Sequence, residues 1–277
     1  MAFSHHESGS NGGVNNLDSQ PVKMPAVFFG HGNPMNAIER NRYSQAWRAF
    51  GRSIPKPRAI VAISAHWYIR ETAVTAMPWP KTIHDFYGFP EALHRVEYKA
   101  PGDPDLARTL QALIKPTTVE LDVGDWGLDH GTWSVLTHVV PNADVPVVQL
   151  SIDLTKPAEF HLDLGRRLDA LRDQGVLVLG SGNIVHNLGA MNFNQPGLAY
   201  DWAIRFDADV QRYLRDGEDQ ALVRYERHRD GKLAVPTPDH YLPLLYVAGI
   251  RRNDDALTIL VDGIDLGSVS MTAVRLG

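Results

Sequence analysis

The chain of 277 residues contains no cysteine. That excludes disulfides, thiolate nucleophiles and cysteine-held zinc or iron–sulfur clusters, so any metal must be held by histidine, carboxylate or backbone oxygen. No apolar run approaches the roughly 18–20 residues that span a bilayer. The formal charge is only -5 and no lysine- or arginine-rich block occurs. Neither a nucleic acid nor an anionic membrane surface is therefore an expected partner. An internal repeat is also missing, as is any Gly/Ser linker beyond residue 22. Residues 1–21 are rich in Ser, Gly, Asn and His and lack the apolar core of a signal peptide. They read as a disordered leader, with His5 and His6 in a solvated tail, and the protein as cytoplasmic. Residues 22–277 then form one domain, a length that a single large α/β unit absorbs. The sequence is silent on oligomeric state.

What is present has α/β patterning. Short apolar runs bounded by Gly, Pro or Asp predict buried strands near 25–29, 59–64, 145–152, 176–181, 257–261 and 268–275. Between them, Asp103 and Pro104 suit the cap and first position of a helix, with Leu106, Leu110, Leu113 and Ile114 on one face. A second helix opens at Pro157, carries Phe160, Leu164, Leu168 and Leu171 as its stripe, and ends before Gly175. Helical spacing returns from Trp202 to Arg215, and again from His240 to Val247, where Pro243 fits only a first turn. The expected fold is a single α/β domain with a mixed central sheet and helices on both faces.

Four histidines stand where apolar runs break into a loop or a helix start: His31, His66, His186 and His240. Ligands collect at the carboxyl ends of strands in such folds, so imidazoles gathered there suggest a metal site. Spacing alone does not establish one, because there is no H-E-x-x-H and no i, i+4 histidine pair. Singly, each would read as an ordinary core or surface histidine. Small residues beside them change that reading: Gly30 and Gly32 flank His31, and Gly180 and Gly182 precede His186, allowing close approach of backbone and ligand. His94, His138, His161 and His228 lack such a frame and read as structural. Asp85 and Asp129 could orient imidazoles or serve as caps and turns. Trp67 and Tyr241 could line an aromatic pocket or simply pack. Gly180-Ser181-Gly182 lacks the lysine of a phosphate loop, and Ser64 and Ser181 lack a nucleophile elbow.

Six words in one order carry a resemblance: Gly30-His31-Gly32-Asn33-Pro34, Ser64-Ala65-His66-Trp67, Thr82-Ile83-His84-Asp85-Phe86, Asp129-His130-Gly131-Thr132-Trp133, Ser181 to Leu188, and Thr237 to Leu244. From about Met24 to the C-terminus the chain resembles the class III extradiol ring-cleavage dioxygenases, in the branch of DOPA 4,5-dioxygenase-type enzymes. The resemblance implies a non-haem Fe(II) enzyme that opens a catechol, DOPA or a related substituted catechol, with O2 to a muconic semialdehyde-type product. It implies His31, His66 and His240 as metal ligands, His186 as acid and base, and His130 facing substrate and dioxygen. His84 is expected at the substrate, and Tyr241 is a candidate for its pocket.

The chemistry agrees with that assignment. Three facial protein ligands leave three positions, two for the catechol oxygens and one for dioxygen. Three neutral imidazoles leave the full metal charge to favour a dianionic catecholate. Histidine titrates near neutrality, so His186 can take the second hydroxyl proton and return it. Zinc also suits three imidazoles and binds more tightly than ferrous iron, so Zn(II) is expected to compete for the site in purified protein. A zinc hydrolase using the same histidines is the alternative enzyme reading. A non-catalytic metal protein is the other rival, and His186 would be superfluous in it.

Overall fold

The computed structural model describes Met1, residues 22–195 and residues 197–277. The expected leader lies outside the described residues. The described residues form twelve strands: β1 (Ala26–Gly30), β2 (Ala59–Ile69), β3 (Ala73–Thr75), β4 (Lys81–Thr82), β5 (Glu120–Asp122), β6 (Gly127–Leu128), β7 (Val147–Asp153), β8 (Val176–Gly182), β9 (Leu257–Val261), β10 (Ile264–Asp265), β11 (Val269–Ser270) and β12 (Ala273–Leu276). Eight build the main sheet in the order β5-β3-β7-β2-β8-β1-β12-β9. The centre, β7-β2-β8-β1, is parallel, while β12 joins β1 antiparallel and β9 joins β12 antiparallel. The sheet is therefore mixed, as expected.

Alternation along the strands divides the core in two. Val27, Phe29, Ile60 and Ala62 face one way, packing with Trp47 and Phe50 of the Arg42–Ser53 helix and Trp133 and Leu136 of the His130–Val139 helix. Ala26, Phe28, Val61 and Ile63 face the other, against Leu106, Leu164, Phe206 and Leu245 from four further helices. Strands with helices on both faces read as continuous apolar runs, which is why these were visible in the sequence.

The expected helices appear at Pro104–Leu113, Ala158–Leu168, Asp201–Asp216 and Leu242–Ile250. Asp103 caps the first, its side chain accepting from Leu106 N at 2.9 Å. Pro243 sits in the first turn of the last. Three elements depart from expectation. β2 runs on past Ser64, with a register irregularity between Ile63 and Tyr68 that re-aims His66. The single strand expected over 268–275 is two, because β11 pairs with β10 as a hairpin while β12 joins the main sheet. His130 opens a helix that no periodicity predicts; its segment mixes Thr, Trp, Ser and Val, and the helix is buried nearly all round, leaving no amphipathic stripe to detect.

Three of the four histidines without a small-residue frame have structural partners. His138 Nε2 donates to Asn36 O at 2.7 Å, His161 Nδ1 meets Tyr246 Oη at 3.0 Å, and His228 Nε2 meets Asp209 at 2.9 Å. His94 closes the short Glu91–His94 helix. Burial pushes the fully buried His161 down to about 4. The unfolded chain, near 6.5, therefore binds the extra proton first, and stability that is full above pH 6.5 falls as pH drops toward 4. The loss from this group is on the order of 3 kcal/mol. Denaturant titrations at pH 7 and pH 4.5 are expected to show a shallower pH dependence for His161→Gln than for wild type; equal slopes would refute it.

A candidate metal-centred active site

The carboxyl ends of three adjacent parallel strands supply the site. His31 follows β1, His66 lies in the irregular stretch of β2, and His186 follows β8. His240 comes from the loop before the Leu242–Ile250 helix, and His130 from the first position of the His130–Val139 helix. The His240 loop can reach β8 because residue 182 is glycine. A Cβ there would stand 2.1 Å from the His240 carbonyl, and the neighbouring Asn183 N–H donates to that carbonyl at 2.8 Å. Asp129 caps the His130–Val139 helix through Thr132 N at 3.2 Å and accepts from Ser64 Oγ of β2 at 2.6 Å and from Gln149 of β7. It thus fixes the helix start against the sheet.

The hydrogen bonds assign each imidazole its tautomer. Ser181 Oγ donates to Gly131 O at 2.6 Å, so it accepts from His31 Nδ1 at 3.0 Å. Asp85 Oδ2 accepts from His66 Nδ1 at 3.0 Å, and Asp239 accepts from His240 Nδ1. All three rings therefore carry their proton on Nδ1 and turn an Nε2 lone pair inward. His31 Nε2 and His66 Nε2 stand 3.2 Å apart. A separation near 3 Å is what two ligands about 2.1 Å from a common ion require. One ligand nitrogen from each of His31, His66 and His240 lies within 4.8 Å of the others. His66-Asp85-His130 and His186-Asp239-His240 also cluster, but their carboxylates already accept Nδ1 protons and serve as props. The residues present fit a metal held by His31, His66 and His240.

Electrostatics follow from burial and crowding. Burial, then repulsion from His66 and His240, holds His31 well below the usual histidine value. Burial lowers His240 to about 4 despite its bond to Asp239. Burial likewise opposes a charge on His66, yet Asp85 and Asp129 together raise it. His186 stacks on His240 with ring centroids 3.5 Å apart and planes 9° from parallel. Burial and that neighbour push it down to about 2. Its backbone is fixed by Ala234 O at 2.9 Å and a bridge to Val269, but its ring makes no protein hydrogen bond among the described residues. His130 Nδ1 donates to Asp85 Oδ1 at 2.9 Å, and burial lowers its pKa.

These five histidines line one cavity of about 550 Å³. The remaining site candidates lie elsewhere. Tyr241 is fully buried and donates to Leu222 O at 3.1 Å, so it packs in the core instead of touching the cavity. His84 binds Val96 O at 2.9 Å and sits against Phe86, which separates it from His130. Trp67 stacks on Trp126 at 5.8 Å. Neither Tyr241 nor His84 lines the cavity: Tyr241 follows His240 in sequence but its side chain turns into the core, and the His84 ring packs behind Phe86. Ser181 and Asp239 escaped notice as imidazole partners. Asp239 directly precedes His240, a signal that was available; Ser181 lies 150 residues from His31 and gave none.

The family model for the catalytic LigB subunit of aromatic ring-opening dioxygenase matches residues 29–263. The chain is 48% identical over 267 residues to 4,5-DOPA dioxygenase extradiol of Escherichia coli K12, covering 95% of this chain and 98% of the relative. It is 36% identical over 264 residues to the beet (Beta vulgaris) protein of the same description, covering 92% and 97%. The crystal structure of an uncharacterized Escherichia coli K12 protein superposes with a TM-score of 0.82 at 46% identity, covering 92% of this chain and all of that one.

Asp239→Ala is expected to weaken Zn(II) affinity about 10–100-fold without unfolding the protein. Competition with a chelating dye, alongside a melting curve, checks this; unchanged affinity would remove Asp239 as the prop of His240.

Proposed function

The chain belongs to the family of catalytic LigB subunits of aromatic ring-opening dioxygenases and is an extradiol ring-cleaving enzyme, and on that premise we propose that it uses ferrous iron and O2 to open DOPA or a related substituted catechol to a muconic semialdehyde-type product in the cytoplasm. The observation that supports this most is the inward turn of three Nε2 lone pairs beside one unanchored imidazole. His31, His66 and His240 would hold the iron. Bound there, it would supply a Lewis-acidic centre to bring both catechol oxygens and dioxygen together.

The chain's own groups do the rest. The props on Nδ1 stop the three ligand rings from turning when substrate enters. Burial and the neighbouring His240 hold His186 neutral near pH 7, so a proton it takes is readily given back, and its ring makes no protein hydrogen bond among the described residues. It accepts the proton of the second catechol hydroxyl on a ring nitrogen and returns it when the O–O bond breaks. His130 Nδ1 donates a hydrogen bond to Asp85, leaving its Nε2 to accept the proton released by the first catechol hydroxyl, and the resulting cation would face negative charge developing on oxygen. Apolar walls from Phe89, Leu188, Met191 and Met271 exclude water from the ring.

His186→Ala is expected to retain metal and lose roughly 10²–10⁴-fold in ring cleavage. Unaltered turnover, read by oxygen uptake and the yellow ring-opened product, would remove the acid–base role. Purified protein is expected to contain zinc, and activity is expected to appear on anaerobic iron loading. A zinc form that cleaves catechol while the iron form does not would overturn the iron assignment, and zinc-dependent hydrolysis indifferent to oxygen would favour a hydrolase.

A further inference from the structure

The cavity carries permanent charge of one sign. Glu39 and Asp265 line it, and among the described residues no lysine or arginine does. Its floor is the buried histidines, so the diol of a bound catechol must point down and a substituent on the opposite edge of the ring must point to the mouth. Glu39 is exposed, which places it at that mouth. It leaves the turn after Pro34–Ala37, its N–H held by Met35 O at 2.9 Å, and its carboxylate forms no ion pair among the described residues. Asp265 is more fixed. Tyr43 Oη donates to Asp265 Oδ1 at 3.0 Å, and Arg42, outside the lining, donates to Tyr43 Oη at 3.0 Å. The β10–β11 hairpin that presents Asp265 turns through Leu266 at φ 50°, a left-handed conformation rare for such a side chain. That strained turn puts Leu266 on the cavity wall beside Asp265.

We propose that the mouth selects catechols whose short side chain carries an ammonium group and disfavours those whose side chain carries only a carboxylate. Glu39 is the ion-pairing residue and Asp265 a second, held negative charge. The proposal rests on the ring-opening reading above and narrows its substrate. An ammonium at the mouth meets an unpaired carboxylate, whereas an acidic side chain meets like charge with no cation in the lining to offset it. DOPA carries both groups and falls between the extremes.

Two measurements test this. Dopamine, DOPA, 4-methylcatechol and 3,4-dihydroxyphenylacetate are assayed with the iron-loaded enzyme at low and high salt. The same compounds are titrated calorimetrically into the zinc-loaded protein. Both kcat/KM and affinity are expected to favour dopamine over dihydroxyphenylacetate by about 30-fold or more, with DOPA between them and the gap narrowing in salt. Glu39→Gln is expected to shrink the dopamine-to-dihydroxyphenylacetate ratio about tenfold, and Asp265→Asn by less. Equal binding of the two compounds by wild type, or a ratio untouched in both variants, overturns the proposal. The expected order in calorimetry without cleavage of 4-methylcatechol supports the charge selection while refuting the ring-opening reading.

Discussion

Two imidazole nitrogens 3.2 Å apart, each with its ring proton committed to the far side, form an arrangement that lone-pair repulsion opposes unless a positive charge lies near both. His31 and His66 are held in it by partners that accept, and do not supply, a proton. Ser181 has spent its hydroxyl hydrogen on Gly131, and Asp85 is a carboxylate. Burial opposes the charge on Asp85, but the bonds from His130 and His66 prevail and keep it ionised. Asp85 is therefore the busiest group in the site. One oxygen orients the ring of His66, and the other orients the ring of His130.

The fold's contribution is to bring strand ends together and then let loops come close. β1, β8 and β2 are neighbours, so His31, His186 and His66 converge although up to 155 residues separate them, 31 to 186. Gly182 admits the His240 loop, and Gly131 admits the ring of His66, whose Cδ2 would stand 2.9 Å from a Cβ at that position. Neither glycine needs an unusual backbone angle; the requirement at both is space. The buried Asp129 network then ties β2, β7 and the His130–Val139 helix into one frame. A site of this kind tolerates little drift, because metal ligands work only within tight distances.

Floor and mouth divide the chemistry. The floor is built of five imidazoles, three buried and two half-buried. The mouth carries one exposed and one half-buried carboxylate on a wall of asparagine and apolar side chains. The hairpin carrying Asp265 also supplies Val269, whose bridge positions His186, so mouth and floor are mechanically joined on one side.

Much of this was legible before any coordinates. Apolar runs marked the central strands because both sheet faces are covered, and Asp103-Pro104 and Pro243 marked helix starts because their constraints are local. The absence of cysteine left histidine as the main ligand type, and small residues beside His31 and His186 marked sites of close approach. The His130–Val139 helix was illegible because an element buried nearly all round, with polar and apolar residues mixed, has no periodic stripe. That Tyr241 turns away from the cavity was not legible, because neighbours in sequence can point to opposite sides of the chain. By itself, then, the sequence determined the fold class and which residue types could bind a metal. Tertiary structure alone decided which nitrogen of each histidine faces the site. That choice is made by a hydrogen-bond acceptor usually supplied by another segment, and no local pattern encodes where such a partner will stand.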